Sequence, residues 1–383
     1  MKALREHQTR AVDELIKSLG TGHSRPLLQM PTGAGKTLLA AYIIQRALDK
    51  GNRVIFCVPA ISLIDQTVQA FYAEGITDVG VIQSNHVLTN YAMPVQVASI
   101  QTLANRRIPD ADLVIVDEAH RWFEFTGEWM KSWDLIPFIG LSATPWTRGL
   151  GNHYDDLIIP TSIQELIDND YLSDFKVYAP SHPDMKGVRT VAGDYHEGDI
   201  SKAMAPLVAD AVTTWLNHAE DRPTICFAVD RVHARLLCDS FLASGVRAEY
   251  ADAYTDIDER ELIRQRFHTG ETQVVCNVGI FTTGVDWDCR CISLCRPTKS
   301  EMLFTQIIGR GLRNADGKDH CLILDHSDTH MRLGFVTDIH HDELDNGQNE
   351  KPDPAEREER LPMECSKCQF LKPAGMHECP SCG

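Results

Sequence analysis

Apolar residues in this chain fall in short continuous runs separated by stretches of helical periodicity, and that order occurs twice. In the first half the runs are Leu27 to Met30, Val54 to Val58, Val95 to Ile100, Leu113 to Val116 and Ile139 to Leu141. A run of this kind, without polar alternation, is a strand covered on both faces, which implies parallel pairing with helices above and below. Lys36 to Leu48 reads as one such helix, and Ser62 stands where it can cap the helix after the second run. The second series comprises Thr224 to Ala228, Gln273 to Val278, Cys291 to Cys295 and Cys321 to Leu324. Helical patterns separate them near Ala203 to Leu216, Arg231 to Ala243, Glu259 to Phe267 and Glu301 to Ile308. The fold class predicted is α/β, with two parallel-sheet lobes in tandem and no internal sequence repeat relating them.

Composition changes this picture little. At 383 residues the chain is too long for one ordinary core. Its 43% hydrophobic and 24% charged residues are those of a soluble globular protein. We divide it into a first lobe at 1–150, a looser Pro-, Gly- and Asp-containing connection at 151–198, and a second lobe at 199–344. Residues 345–362 are acidic and almost free of apolar side chains, so they read as a linker, and 363–383 form a small separate module. No apolar run approaches membrane-spanning length and the N-terminus is polar, so neither a signal peptide nor a membrane contact is expected. The expected location is the cytoplasm, for a phage-encoded or nucleoid-associated protein alike.

The chemistry begins at Pro31-Thr32-Gly33-Ala34-Gly35-Lys36-Thr37, between a strand and a helix. Glycines there let backbone N–H groups curl round phosphates, and the helix N-terminus adds a favourable dipole. Lys36 would reach the β- and γ-phosphates and the Thr37 hydroxyl would ligate Mg²⁺. The strict phosphate-loop pattern fails at its first glycine, where Met30 stands. Asp117-Glu118-Ala119-His120 follows the fourth run, about eighty residues beyond Lys36. Acids at that end of a strand can face the phosphate loop across the sheet edge. Asp117 would hold Mg²⁺, and Glu118 would orient and deprotonate the attacking water.

This set resembles superfamily 2 helicases, and the resemblance continues to about residue 326. Leu4-Arg5-Glu6-His7-Gln8 is similar to the adenine-reading Q motif, which implies nucleotide contacts from Arg5 and Gln8. A carboxamide suits the N6 and N7 edge of adenine. Val58-Pro59-Ala60 and Ser99-Ile100-Gln101-Thr102 are similar to motifs that touch the nucleic-acid backbone, through Pro59, Gln101 and Thr102. His120 and Ser142-Ala143-Thr144 correspond to the coupling of hydrolysis to lobe movement. Thr283-Gly284-Val285-Asp286 resembles motif V, with Gly284 and Asp286 on the nucleotide and Thr283 on the strand. Gln306-Ile307-Ile308-Gly309-Arg310-Gly311-Leu312-Arg313 matches motif VI, QxxGRxxR. It implies catalytic roles for Gln306, Arg310 and Arg313, the two arginines neutralising charge on the γ-phosphate as arginine fingers.

Together with Arg296-Pro297-Thr298-Lys299-Ser300 and the Cys-rich tail, these motifs look like the bacterial RadD (YejH) group, near the Ssl2/XPB-type and restriction-motor helicases. The resemblance implies RecA-like lobes, ATP with Mg²⁺, and an ATP-driven helicase or translocase on single-stranded, duplex or branched DNA in replication, recombination or repair. An RNA track, or a nucleotide-gated clamp or adaptor without unwinding, stays open on the residues alone. No wedge or pin is identifiable.

Three features qualify that reading. The net charge is −17, and between Asp338 and Arg360 nine acidic residues face three basic ones. Any nucleic-acid path must therefore be a confined groove. Cys365, Cys368, Cys379 and Cys382 form two CxxC knuckles, a four-thiolate set for Zn²⁺ whose binding would fold the segment. His377 is a substitute ligand, and a repair or replication protein is a candidate partner for the module. The other cysteines read as core or loop thiols. Aromatic residues from Trp122 to Trp133, and Trp146, read as packing on the first lobe, with base stacking as the rival.

Overall fold

The computed structural model describes residues 1–83, 85–281, 287–348 and 361–383. Thr283, Gly284 and Asp286 lie outside them. The chain forms two compact units, Met1–Ser162 with the segment that begins at His341, and Ile163–His340 with the C-terminal module.

In the first unit α1 (Glu6–Gly20) precedes β1 (Pro26–Gln29) and α2 (Lys36–Leu48). There follow β2 (Val54–Val58), α3 (Ile64–Ala73), β3 (Val79–Val81), β4 (Val95–Ser99) and the one-turn α4 (Ile100–Leu103). The unit continues with β5 (Leu113–Asp117), α5 (Glu124–Ser132), β6 (Phe138–Ser142) and β7 (Asp156–Ile158). All seven strands pair in parallel, in the order β3-β4-β2-β5-β6-β1-β7. The expected runs are buried, Val54–Val58 and Val95–Ser99 from end to end and the run at 27–30 except at Gln29. Burying each such aliphatic side chain contributes about 1.5–3 kcal/mol.

Two details differ from the expectation. Ser62 lies inside a single 3₁₀ turn, Ile61–Leu63, and α3 starts behind Leu63 with no side-chain cap, so hydrogen bonding does not set its start. The stretch 151–198 is more than a connection. It supplies β7 to the first sheet and β8 (Asp174–Tyr178) to the second. Both strands are short and carry aspartates, which hid them from a search for apolar runs.

The second unit runs α6 (Ile163–Asp168), β8, a two-stranded hairpin of β9 (Thr190–Val191) and β10 (Asp194–Tyr195), then α7 (Glu197–Met204) and α8 (Val208–His218). After them come β11 (Thr224–Phe227), α9 (Arg231–Ala243), β12 (Ala248–Ala251), α10 (Ile257–Thr269) and β13 (Val274–Asn277). The lobe closes with β14 (Cys291–Leu294), α11 (Glu301–Gly311), β15 (His320–Asp325) and α12 (Thr329–Leu333). The sheet is again parallel, ordered β12-β13-β11-β14-β15-β8. Cys226, Cys276, Cys291 and Cys321 are fully buried strand thiols, as read from the sequence.

In the aromatic run Trp129 belongs to the core of the first unit, and Trp122, Phe123, Phe125 and Trp133 pack half-buried against it. Trp129 is 3% exposed, edge-on to Trp133 and Phe138, and Trp122 stacks on His153 with ring centroids 3.7 Å apart. Trp146 lies against His341 instead, at 4.6 Å. Among the described residues no helix is long and apolar enough to cross a membrane.

Candidate nucleotide site and metal centre

β6 lies between β1 and β5, so the loops leaving these three strands emerge side by side at one sheet edge. That is the carboxyl edge, where parallel α/β sheets bind ligands. Ser142, the last residue of β6, ties the edge together. Its carbonyl accepts the Met30 N–H at 2.7 Å, and the Leu141 carbonyl accepts that of Ala119 at 3.0 Å.

The loop from Pro31 to Gly35 turns through Gly33 (φ 87°) and Gly35 (φ 83°), a backbone conformation that glycine adopts without cost. Gly35 starts α2, so the helix N-terminus opens at Lys36 and Thr37. Behind the loop stands α1. Gln8, 1% exposed, donates both amide hydrogens to the loop, to the Ala34 carbonyl at 3.2 Å and the Gly35 carbonyl at 3.1 Å. Its Oε1 accepts the Arg5 N–H at 2.9 Å, and a His7 ring nitrogen is 3.0 Å from the Ala34 carbonyl. A Cβ on Gly35 would overlap the Gln8 amide. Gln8 thus braces the loop, and in this arrangement both its amide hydrogens go to the loop carbonyls.

Opposite the loop, β5 ends in Asp117 and the chain turns sharply at Glu118, whose φ of 50° is unfavourable for a side chain with a Cβ. The turn aims the Glu118 carboxylate back at the loop, with Oε1 3.7 Å from the Lys36 ammonium and Oε2 3.4 Å from His120 Nδ1. His120 Nδ1 lies 2.9 Å from the Ser142 hydroxyl, which also accepts the Thr144 N–H at 3.0 Å. A continuous polar path therefore runs Lys36–Glu118–His120–Ser142–Thr144. Burial keeps His120 neutral, drawing its pKa down to about 4 against the opposing pull of Glu118.

Burial also pushes the Asp117 carboxyl up to about 7, with Glu118 adding to the rise and Lys36 opposing it. Two crowded, desolvated carboxylates are the surroundings that a divalent cation relieves. The residues fit Mg²⁺ in kind, with Asp117 on one side and the Thr37 hydroxyl at the start of α2 on the other.

Pro59 and Thr102 follow β2 and β4 at the same edge, on the far side of β5. Pro59 is buried, Gln101 exposed, and Ser99 caps α4 by accepting the Thr102 N–H. In the second lobe, α11 carries Gln306 (8% exposed) and Arg310 (7%), with Arg313 just beyond its end. The N-terminus of α11 is capped by Ser300 through the Leu303 N–H.

The metal centre is compact. The four sulfurs of Cys365, Cys368, Cys379 and Cys382 lie within 4.8 Å of one another, with Cys365–Cys382 at 3.7 Å and Cys368–Cys379 at 3.6 Å. Tetrahedral Zn–S bonds near 2.3 Å require sulfurs roughly 3.8 Å apart, so the set fits zinc. His377 is outside this cluster. The N–H groups of Lys367 and Cys368 favour the Cys365 thiolate and draw its pKa down to about 6.

The module does not stand alone. Its hairpin of β16 (Met363–Glu364) and β17 (Leu371–Lys372) leads Phe370 into a bridge with Tyr178 at the edge of the second sheet. The Ala179 N–H donates to the Gln369 carbonyl at 3.0 Å, and the Tyr178 hydroxyl is 3.0 Å from that of Ser381. His182 lies between Asp328 (2.6 Å) and the module's Glu364 (3.1 Å). Sequence reasoning missed this docking, because β8 carries no apolar signature.

Comparison with known proteins agrees with this arrangement. Residues 1–147 match the family model described as type III restriction enzyme, res subunit, and residues 207–315 match the helicase conserved C-terminal domain. A 51.5 kDa protein of a Lactococcus phage is 28% identical over 93% of this chain and 77% of its own length. The putative ATP-dependent helicase IRC3 of Saccharomyces cerevisiae is 31% identical, over 84% of this chain but 51% of its own length. The DNA 3′-5′ translocase XPB2 of Sulfurisphaera tokodaii is 26% identical over 82% of this chain and 79% of its own. Among solved structures, a fragment of a putative HsdR subunit of a type I restriction enzyme from Vibrio vulnificus shares the fold. Its TM-score is 0.69 at 21% identity, over 91% of this chain and 68% of that one.

Proposed function

We propose that this protein, a superfamily 2 helicase-like chain by its two domain matches, hydrolyses ATP to move along DNA. The carrying observation is the path from Lys36 through Glu118 and His120 to Ser142 and Thr144. The reading is supported by the Lys36 ammonium, the Glu118 carboxylate and the His120 ring standing in succession at the carboxyl edge of the first sheet.

In this reading the loop N–H groups and Lys36 hold the β- and γ-phosphates. Mg²⁺, held by Thr37 and Asp117, would neutralise charge on the phosphates. Glu118 takes the proton of the attacking water, a task its aim toward the loop suits. On the motif VI resemblance alone, Gln306, Arg310 and Arg313 are assigned to the γ-phosphate, where a planar guanidinium fork matches two oxygens. Gly284 and Asp286 take nucleotide contacts and Thr283 a strand contact on the family resemblance alone, as Arg5 does for the nucleotide. When the γ-phosphate leaves, Glu118 changes partners, and His120 carries that change to Ser142, Ala143 and Thr144. Pro59, Gln101 and Thr102 contact the backbone of the strand.

DNA as the track is supported by the archaeal relative described as a DNA translocase. Work in replication, recombination or repair, and placement near the RadD group, rest on the motif VI neighbourhood and the four-cysteine module. That module holds structural Zn²⁺, and a protein or branched-DNA contact would use its outward face.

The test is ATP turnover with single-stranded, duplex and forked DNA and with RNA, in wild type and Glu118→Gln. Stimulation by DNA is expected, with Glu118→Gln about 10²–10⁴-fold slower, the usual range for a lost general base. Stimulation by RNA alone would replace DNA as the track, and wild-type turnover in Glu118→Gln would remove the mechanism.

A further inference from the structure

The last carbonyls of a helix have no partners within it, and α11 ends where Arg310 and Arg313 are presented. Two side chains meet that end, and the Ser173 hydroxyl lies 3.4 Å from the Gly311 carbonyl and 3.3 Å from that of Leu312. The Lys318 ammonium donates to the carbonyls of Gly311 and Arg313, the latter at 2.7 Å, and to that of Cys289 at 2.9 Å. Three N–H donors meet three acceptors, which is the capacity of an ammonium. The charge also stands at the negative end of the α11 dipole, where a cation is stabilised.

The turn that carries Lys318 is itself fixed. Arg290 donates to the carbonyls of Asp316 (2.7 Å) and Gly317 (3.2 Å) and is held by Asp288 at 2.8 Å. On the other side, Leu172 forms a bridge to Arg313, and the Leu312 carbonyl accepts the Ser173 N–H at 2.8 Å. Below, Gly311 leaves no room to shift, since a Cβ there would strike the Cys321 sulfur and approach Ile292 Cδ1 to 2.8 Å. The backbone of Arg313 is therefore located by contacts on several sides, and the Lys318 ammonium joins it to Gly311 and to Cys289. Cys289 lies three residues beyond the motif V-like string.

We propose that Lys318 is a positioning residue for ATP hydrolysis. It holds the end of α11 and the segment after motif V at one point, and so sets where the Arg313 guanidinium stands. This rests on the reading of Arg313 as a phosphate-neutralising group. A guanidinium displaced by about 1 Å is enough to cost on the order of 10²-fold in rate.

The experiment compares steady-state ATP turnover of the full chain in Lys318→Met, Lys318→Arg, Arg313→Ala and the Lys318→Met/Arg313→Ala double variant. Lys318→Met keeps the aliphatic stem and removes the ammonium. It is expected to lower kcat by about 10²-fold with the KM for ATP within roughly twofold, the pattern of a lost transition-state interaction. Lys318→Arg should recover part of the loss. Because Lys318 acts through Arg313, the double variant should be no slower than Arg313→Ala alone. Losses that multiply would mark a lysine that merely stabilises the fold, and would overturn the proposal. So would wild-type kcat in Lys318→Met when Arg313→Ala is slow. Wild-type kcat in Arg313→Ala would instead remove the arginine reading itself. Should Lys318→Met not fold, Arg290→Gln loosens the turn without touching the ammonium. A kcat loss that disappears in the Arg313→Ala background then supports the proposal, and unchanged kcat overturns it.

Discussion

Gln8 shows how a residue legible by type takes its role from its neighbours. As a carboxamide in a Q-like string it suits an adenine edge, yet its two amide hydrogens go to the carbonyls of Ala34 and Gly35. Gln8→Ala is therefore expected to loosen the phosphate loop and to raise the KM for ATP and GTP by similar factors. Side-by-side turnover with the two nucleotides checks this, and a loss confined to ATP would restore the base-reading role. Glu118 shows the same dependence. Its acidity is plain in the sequence, but its strained turn, which aims it at Lys36 and His120, comes from β5 ending beside β6.

Among elements, β8 is the edge strand of the second sheet, and it is the one that the four-cysteine module covers. An edge strand offers unpaired backbone groups, and the Phe370 bridge with the Gln369 carbonyl takes up part of that edge at Tyr178 and Ala179. A module this small has almost no core, so on the proposed reading metal binding would supply its folding energy. Chelation, or Cys379→Ser, should free the β8 edge. The expected result is faster hydrogen exchange at the amides of Lys176 to Ala179 and a lower melting temperature of the second lobe, with the first lobe unchanged. Unaltered exchange at β8 would show that the docking does not depend on the metal.

For the molecule as a whole, stability should depend on pH through histidines buried in the second lobe. Burial lowers the pKa of both His233 and His326 to about 4. His233 Nδ1 accepts the Val229 N–H, which needs a neutral ring, and His326 Nδ1 is 3.0 Å from the Ser181 hydroxyl. Both pKa values are depressed below the unfolded value near 6.5. Their contribution is therefore present in full above pH 6.5 and is lost as pH falls toward 4. At pH 5 each is expected to cost about 2 kcal/mol relative to pH 7. Chemical denaturation at the two pH values measures this, and His326→Asn should flatten the dependence.

The sequence by itself determined the features that are local or periodic. The buried runs mark most of the strands because a strand covered on both faces needs continuous apolar residues. The glycines before Lys36 and the two CxxC knuckles are legible because their chemistry depends on spacing of a few residues. Tertiary structure decided whatever depends on partners distant in the chain. It inserted β6 between β1 and β5, which brings Ser142 to His120. It drew β7 and β8 out of an apparent connection, pairing polar-looking strands with apolar neighbours. It turned Gln8 onto the phosphate loop and docked the metal module on a sheet edge. Lys318 is the sharpest case, since a lysine after a glycine has no signature, and only the folded chain brings three backbone carbonyls to its ammonium.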